Sequence, residues 1–183
     1  MPQVFSAPAA FSPQDCAAIT AMAAGAGLKH AGLVRGASSP DLRRAEIAWL
    51  DDMPGGAWVM DRLTGLMAEA NRQTYGYDLT DFAESAQCAC YRAETAGHFA
   101  WHSDIGAGAL AAKRKLTLVV QLSDPASYDG GGLEIWPDSH VHHADRAQGT
   151  ATVFPSFMLH RVTPLTAGMR WSLTLWAHGP AFR

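Results

Sequence analysis

Met169-Arg170-Trp171-Ser172-Leu173-Thr174-Leu175-Trp176 alternates in character at every step. In an extended chain successive side chains point to opposite faces, so Arg170, Ser172 and Thr174 share one face and Trp171, Leu173 and Leu175 the other. An arginine and two hydroxyls facing inward from an apolar strand are costly unless they meet an anion. A carboxylate gripped bidentately by the guanidinium and hydrogen-bonded by Ser172 meets that need. A lone strand arginine is more often an outward surface residue, so the residues around it have to choose between the two readings.

The segments upstream are of the same kind. Short alternating runs predict strands at 86–93, 97–102, 115–122, 131–137, 150–154, 159–163 and 169–177. Turns punctuate them, among them Asp129-Gly130-Gly131-Gly132 and Ala167-Gly168. The triple glycine lacks the strand–loop–helix context of a dinucleotide fingerprint and reads as a tight hairpin. Earlier residues behave differently, being rich in Ala and Met at helical spacing. Ser12 before Pro13 is an N-cap signal, and Ile19, Met22 and Ala23 predict a helix over 13–24. Val59, Leu63, Leu66, Met67 and Ala70 form a second helical stripe ending near Tyr75-Gly76, and 46–50 reads as a strand. Helices followed by about seven strands predict an α+β protein: supporting helices on an antiparallel sandwich or jelly roll. One domain is expected over 1–183, with helical support in 1–80 and a jelly-roll core in 85–178.

Composition narrows the classes. The chain of 183 residues is 48% hydrophobic and 17% charged, a globular balance. A net charge of −3 gives no global attraction to nucleic acid or anionic membrane. No apolar run approaches the ~20 residues of a membrane span. The N-terminal stretch has no basic region ahead of an apolar one, so no signal peptide is expected. Three cysteines, two of them at Cys88 and Cys90, read as reduced, buried thiols, and the expected location is cytoplasmic.

The metal-binding candidates are histidines and aspartates. His-x-Asp occurs as His102-Ser103-Asp104 and as His143-Ala144-Asp145, and chance alone yields roughly half a match at this composition. Context favours the first. It ends the strand-like run His98-Phe99-Ala100-Trp101, and residues two apart on a strand face one way. His160 is the candidate third ligand. Two histidines and one carboxylate on one octahedral face are the non-haem Fe(II) arrangement, with positions left open for co-substrate and O₂. The run His140-Val141-His142-His143-Ala144-Asp145 lies in a polar, turn-rich stretch and reads as a solvated loop. Trp171 is expected in the core, and Trp101, Trp136 and Trp176 are candidates for the barrel mouth. Arg43, Arg44 and Arg92 read as solubilising surface cations, with contact to a substrate carboxylate as the alternative.

Taken together, these segments resemble the Fe(II)/2-oxoglutarate dioxygenases, in particular the prolyl-4-hydroxylase-like branch. The resemblance is carried by Tyr91, by Gly97 through Asp104, by Arg114-Lys115-Leu116-Thr117 with Gln121-Leu122-Ser123, and by Tyr128 through Glu134. It is most specific in His160-Arg161-Val162-Thr163-Pro164 and Gly168-Met169-Arg170-Trp171-Ser172, and it covers 85–178. It implies a double-stranded β-helix, a cupin-like jelly roll with supporting helices. It implies His102, Asp104 and His160 as iron ligands, Arg170 as anchor of the distal carboxylate of 2-oxoglutarate, and Tyr91 and Ser172 as its hydrogen-bonding partners. The implied reaction uses Fe(II), 2-oxoglutarate and O₂ to hydroxylate an unactivated C–H of a prolyl residue, an amino acid or another small molecule, releasing succinate and CO₂. Asp104 disfavours halogenation, because related halogenases lack that carboxylate. Three other readings compete. A cupin-like metal protein gives no reason for Arg170 and Ser172. The nucleic-acid-demethylating branch has a second arginine where this chain has Trp176. A binding module without catalysis leaves the intact ligand set unexplained. The expected partner is a small molecule or short peptide, with neither nucleic acid nor membrane involved.

Overall fold

Ser12 starts the first helix as its sequence suggests. Its hydroxyl accepts from the Asp15 amide at 3.1 Å while the Asp15 carboxylate accepts from the Ser12 amide at 2.9 Å, a reciprocal capping box. Helix α1 (Pro13–Ala26) buries Cys16, Ile19 and Ala23. Helix α2 (Ala57–Ala70) buries Val59, Leu63, Met67 and Ala70, then runs into a π-helical turn, Asn71–Tyr75. Gly76 stops it in the left-handed conformation, at φ 63°. This computed structural model describes residues 3–31 and 41–182.

Thirteen strands follow the chain among the described residues. The N-terminal part contributes β1 (Phe5–Ala7), β2 (Lys29–His30), β3 (Arg43–Arg44) and β4 (Glu46–Trp49). Next come β5 (Gln87–Arg92), β6 (His98–His102), β7 (Arg114–Gln121) and β8 (Tyr128–Gly130). The rest are β9 (Leu133–Trp136), β10 (His142–His143), β11 (Ala151–Pro155), β12 (Leu159–Val162) and β13 (Leu165–His178). The larger sheet has the order β1-β11-β7-β13-β5-β4-β2, and the smaller β10-β9-β12-β6-β3. Every pairing is antiparallel.

The pleat sorts the side chains. On the outer face of the larger sheet, Cys88, Leu116, Leu118, Val120, Leu173 and Leu175 pack under both helices. The alternate residues of the same strands turn inward, Ala89 and Tyr91 meeting Val162 and Leu165 of the opposite side. Two facing antiparallel sheets with helices on one outer face make an α+β double-stranded β-helix, the expected class. Trp171 is only half-buried, at the edge of the helix-side core. Cys16, Cys88 and Cys90 are buried and free, and burial pushes their thiols up, to about 12 for Cys88 and about 11 for the other two.

Two turn expectations need correction. The triple glycine is not a tight hairpin: β8 pairs with β13 and β9 pairs with β12, so the chain crosses there from one sheet to the other. The crossing requires φ of 74° at Gly130 and 60° at Gly131, and a Cβ on Gly130 would sit 2.2 Å from the Pro164 carbonyl oxygen. The His140 stretch is not wholly loop either, since His142 and His143 form the edge strand β10 against Ile135 and Glu134. The final strand starts at Leu165 rather than 169, because 165–168 pairs with β8. No helix among the described residues is long and apolar enough to cross a membrane.

Candidate metal centre and co-substrate cavity

Strands β6 and β12 bring the two histidines together, because their register sets His160 opposite His102. Asp104 follows His102 by two residues, its amide held by the Ser156 carbonyl at 2.9 Å. His102 Nε2 lies 3.6 Å from Asp104 Oδ1, and His160 Nε2 lies 3.5 Å from Asp104 Oδ2. One ligand atom from each falls within 4.8 Å of the others, and no other such group of three occurs among the described residues. Each imidazole meets a backbone carbonyl through Nδ1, His102 with Ala100 at 2.8 Å and His160 with Met158 at 3.0 Å. A carbonyl only accepts, so both Nδ1 atoms carry the proton and both Nε2 lone pairs face Asp104. This is how metal-binding histidines are oriented. Phe99 stacks on His102 at 3.5 Å, and Phe154 meets the His160 ring at 4.8 Å.

Asp104 is tightly held. Thr117 Oγ1 and Trp176 Nε1 both donate to its Oδ2, at 2.7 and 3.0 Å, and Arg114 Nη1 donates to its backbone carbonyl at 3.0 Å. Burial alone would raise its pKa, but His160, His102 and the indole N–H outweigh it and hold the carboxyl well below the usual range. Burial pushes His160 down, against the opposing pull of Asp104. A neutral imidazole beside a carboxylate is the protonation pattern a cation needs. Arg114 also pairs with Glu84 at 2.6 Å, and the Glu84 carboxylate accepts from His178 Nε2 at 2.9 Å.

Between the sheets lies a cavity of about 730 Å³ whose wall includes His102, Asp104, His160, Tyr91 and Ser172. Arg170 is fully buried at its edge. Its Nε donates to Gln121 Oε1 at 3.0 Å, and Gln121 in turn donates to the Tyr128 hydroxyl at 2.7 Å. Tyr91, its cross-strand partner, has its ring 5.6 Å from the guanidinium carbon. Nη1 is buried with no hydrogen-bond partner, and no carboxylate pairs with Arg170 among the described residues. Burial pushes its pKa down, opposed by Tyr91 and Tyr128. A buried cation with an orphaned N–H calls for an anion from outside the chain. The chain's residues therefore fit both a divalent metal and a carboxylate co-substrate.

All six singled-out residues, His102, Asp104, His160, Arg170, Tyr91 and Ser172, line this one cavity. The rival His-x-Asp is not assembled: His143 is exposed and meets Glu134 at 3.5 Å. Trp176 does line the cavity, whereas Trp136 is exposed and packs on Trp101 at 5.7 Å. Thr117, Gln121 and Tyr128 were assigned no role from sequence. Inward alternation of Thr117, Val119 and Gln121 along β7 was the available signal. Arg43 is not a solubilising surface cation, for it stacks on Phe99 at 4.6 Å in the cavity wall.

Two histidines and a carboxylate with open positions define the non-haem Fe(II) class of site. The profile of the 2OG-Fe(II) oxygenase superfamily matches residues 86–178, and the chain belongs to that family. Membership brings Fe(II), 2-oxoglutarate and O₂ as the family's cofactors. A PKHD-type hydroxylase of Cupriavidus metallidurans is 49% identical over 55 residues, 30% of this chain and 24% of that relative. One of Teredinibacter turnerae is 36% identical over 91 residues, 48% of this chain and 39% of that relative. The matches thus span about a quarter to two fifths of these relatives' length. Among solved structures, a Pseudomonas putida prolyl-4-hydroxylase aligns over 98% of this chain and 94% of its own, at 25% identity and a TM-score of 0.76. A Trichoplax adhaerens prolyl hydroxylase, in complex with a hypoxia-inducible-factor peptide fragment, covers 96% and 83% at 20% identity with the same TM-score.

Proposed function

We propose that the chain is a Fe(II)/2-oxoglutarate-dependent hydroxylase working as one domain, with His102, Asp104 and His160 holding the metal. Arg170 takes the distal carboxylate of 2-oxoglutarate, with Tyr91 and Ser172 beside it. The observation that carries this reading is the orphaned, buried Nη1 of Arg170 in the same cavity as the three ligands. A cupin-like protein without a carboxylate co-substrate offers no account of it.

The chain's part is geometry and exclusion of water. Thr117 and Trp176 fix the Asp104 carboxylate, the Ala100 and Met158 carbonyls fix the two imidazoles, and Arg170 sets one end of the co-substrate. Bound iron with 2-oxoglutarate and O₂ supplies the oxidising power for C–H hydroxylation, and the protein orients the reactants. The names of the relatives favour a prolyl residue as acceptor, with a free amino acid or another small molecule as the wider class. Three buried thiols suit a reducing compartment, the cytoplasm.

The test supplies Fe(II), 2-oxoglutarate and O₂ with a panel of prolyl peptides and amino acids. Succinate should form in step with a product carrying one oxygen atom from labelled O₂. Steady turnover without O₂ or without 2-oxoglutarate sinks the reading.

A further inference from the structure

A second guanidinium stands in the cavity wall in the same condition as Arg170. Strand β3 sets Arg43 opposite Phe99, and its guanidinium carbon lies 4.6 Å from the Phe99 ring centre. Phe99 itself stacks on His102 at 3.5 Å, so cation, ring and imidazole form a three-layer pile in the cavity wall. Arg43 Nη2 donates to Gln87 Oε1 at 2.7 Å, and Gln87 is buried on β5. Arg43 Nε is buried with no acceptor.

The acids of this neighbourhood are already engaged. Glu46 pairs with Arg92 at 2.6 Å, and Glu84 pairs with Arg114 and meets His178. No carboxylate pairs with Arg43 among the described residues. A guanidinium held over a ring, tethered at one nitrogen and orphaned at another, is preorganised for an anion.

2-Oxoglutarate on Arg170 does not answer that need. Gln87 is paired with Thr174, whereas Tyr91 is paired with Arg170. The strand positions beside the two guanidiniums, Gln87 and Tyr91, are four residues apart, roughly 13 Å of extended chain. On the proposed reading the small diacid runs from Arg170 towards the histidines, so the anion for Arg43 comes from another molecule.

We infer that Arg43 anchors a carboxylate of the organic substrate. The acceptor is then an acid, a free amino acid or the C-terminal residue of a short peptide, rather than an internal residue of a polypeptide. Held at Arg43, such a molecule lays its carbon skeleton across Phe99 towards His102. This rests on the oxygenase reading and deepens it by naming the substrate class.

The experiment uses the full chain loaded with Mn(II) and 2-oxoglutarate without O₂, titrated calorimetrically with L-amino acids, N-acetyl-L-proline and the carboxamide of each. At least one acid should bind, with its carboxamide weaker by about tenfold or more, the scale of one charged hydrogen bond. Arg43→Gln should erase the preference for acid over amide and leave 2-oxoglutarate affinity as it was, with thermal melting confirming the fold. Arg43→Lys should restore only part of the preference. Equal binding of acids and amides overturns the inference. So does failure of every acid to bind, or a preference that survives Arg43→Gln. Failure of the wild-type protein to bind 2-oxoglutarate in the preceding titration sinks the oxygenase reading instead.

Discussion

Trp176 Nε1 donates to Asp104 Oδ2 at 3.0 Å, the same oxygen that Thr117 reaches at 2.7 Å, so two donors pin one side of the carboxylate. Oδ1 is left facing His102. Outer hydrogen bonds of this kind orient metal ligands, and their loss typically costs about 10–100-fold in affinity. Trp176→Phe keeps a ring for Arg114 to stack on but loses the donor. It and Thr117→Val should each weaken Mn(II) binding by about tenfold while melting near the wild-type temperature. His143→Ala should leave Mn(II) affinity unchanged, since that ring is exposed and is not one of the three converging groups. Titration followed by the paramagnetic resonance of free Mn(II) reads all three, and wild-type affinity in Trp176→Phe would refute the clamp.

Arg170→Lys keeps a charge and loses the planar fork. Affinity for 2-oxoglutarate in the Mn(II)-loaded protein should fall by about 1–3 kcal/mol, and Tyr91→Phe should cost less. Calorimetry that gives unchanged affinity in Arg170→Lys moves the co-substrate elsewhere.

Glu84 should contribute to acid sensitivity. Burial pushes its carboxyl up, yet Arg114 and His178 outweigh burial and hold it below the usual value of 4.5. A carboxyl with a depressed folded-state value adds stability that is complete above pH 4.5 and lost as pH falls through the lower folded value. Glu84→Gln should therefore be less stable at neutral pH, by about 1–3 kcal/mol given the partly buried pair. The gap should narrow as pH drops below 4.5. Urea melts across pH measure it, and a constant gap down to acid refutes the assignment.

Gly130→Ala places a methyl 2.2 Å from the Pro164 carbonyl oxygen at a φ of 74°. Backbone cannot retreat there without disturbing the pairing of β8 with β13. Stability should fall by roughly 2 kcal/mol or more, read as a lowered urea midpoint.

Sequence made the strands legible where one face is buried and the other lines the cavity, as in Arg170 to Thr174, because alternation records the two environments. Histidine and aspartate two apart, followed by a distant histidine, made the converging group of three legible in the sequence. The short strands β1, β2 and β3 carry too few residues for a period to appear, and they form because the edges of the sheets supply their hydrogen bonds. Gly130 to Gly132 misled for a related reason, since positive φ serves a sheet crossing as well as a hairpin. Arg43 read as a surface cation because a cation's burial depends on what packs over it, here Phe99 and Gln87, which lie 56 and 44 positions away in the chain.

Strand β13 carries Arg170, Ser172, Thr174 and Trp176 along one face, in unbroken register with β5 and β7 from Ser172 to Thr174. Arg170 and Trp176 are six residues apart, about 20 Å of extended chain. One stiff bar thus bears both the guanidinium proposed to anchor the co-substrate and the donor that clamps Asp104, and a pleated backbone in mid-sheet cannot lengthen or shorten to suit a guest. If Arg170 takes the distal carboxylate as proposed, the strand acts as a gauge for 2-oxo diacids, and a homologue one methylene shorter or longer should bind more weakly. On the proposed reading, selectivity for co-substrate length follows from the rise of a strand.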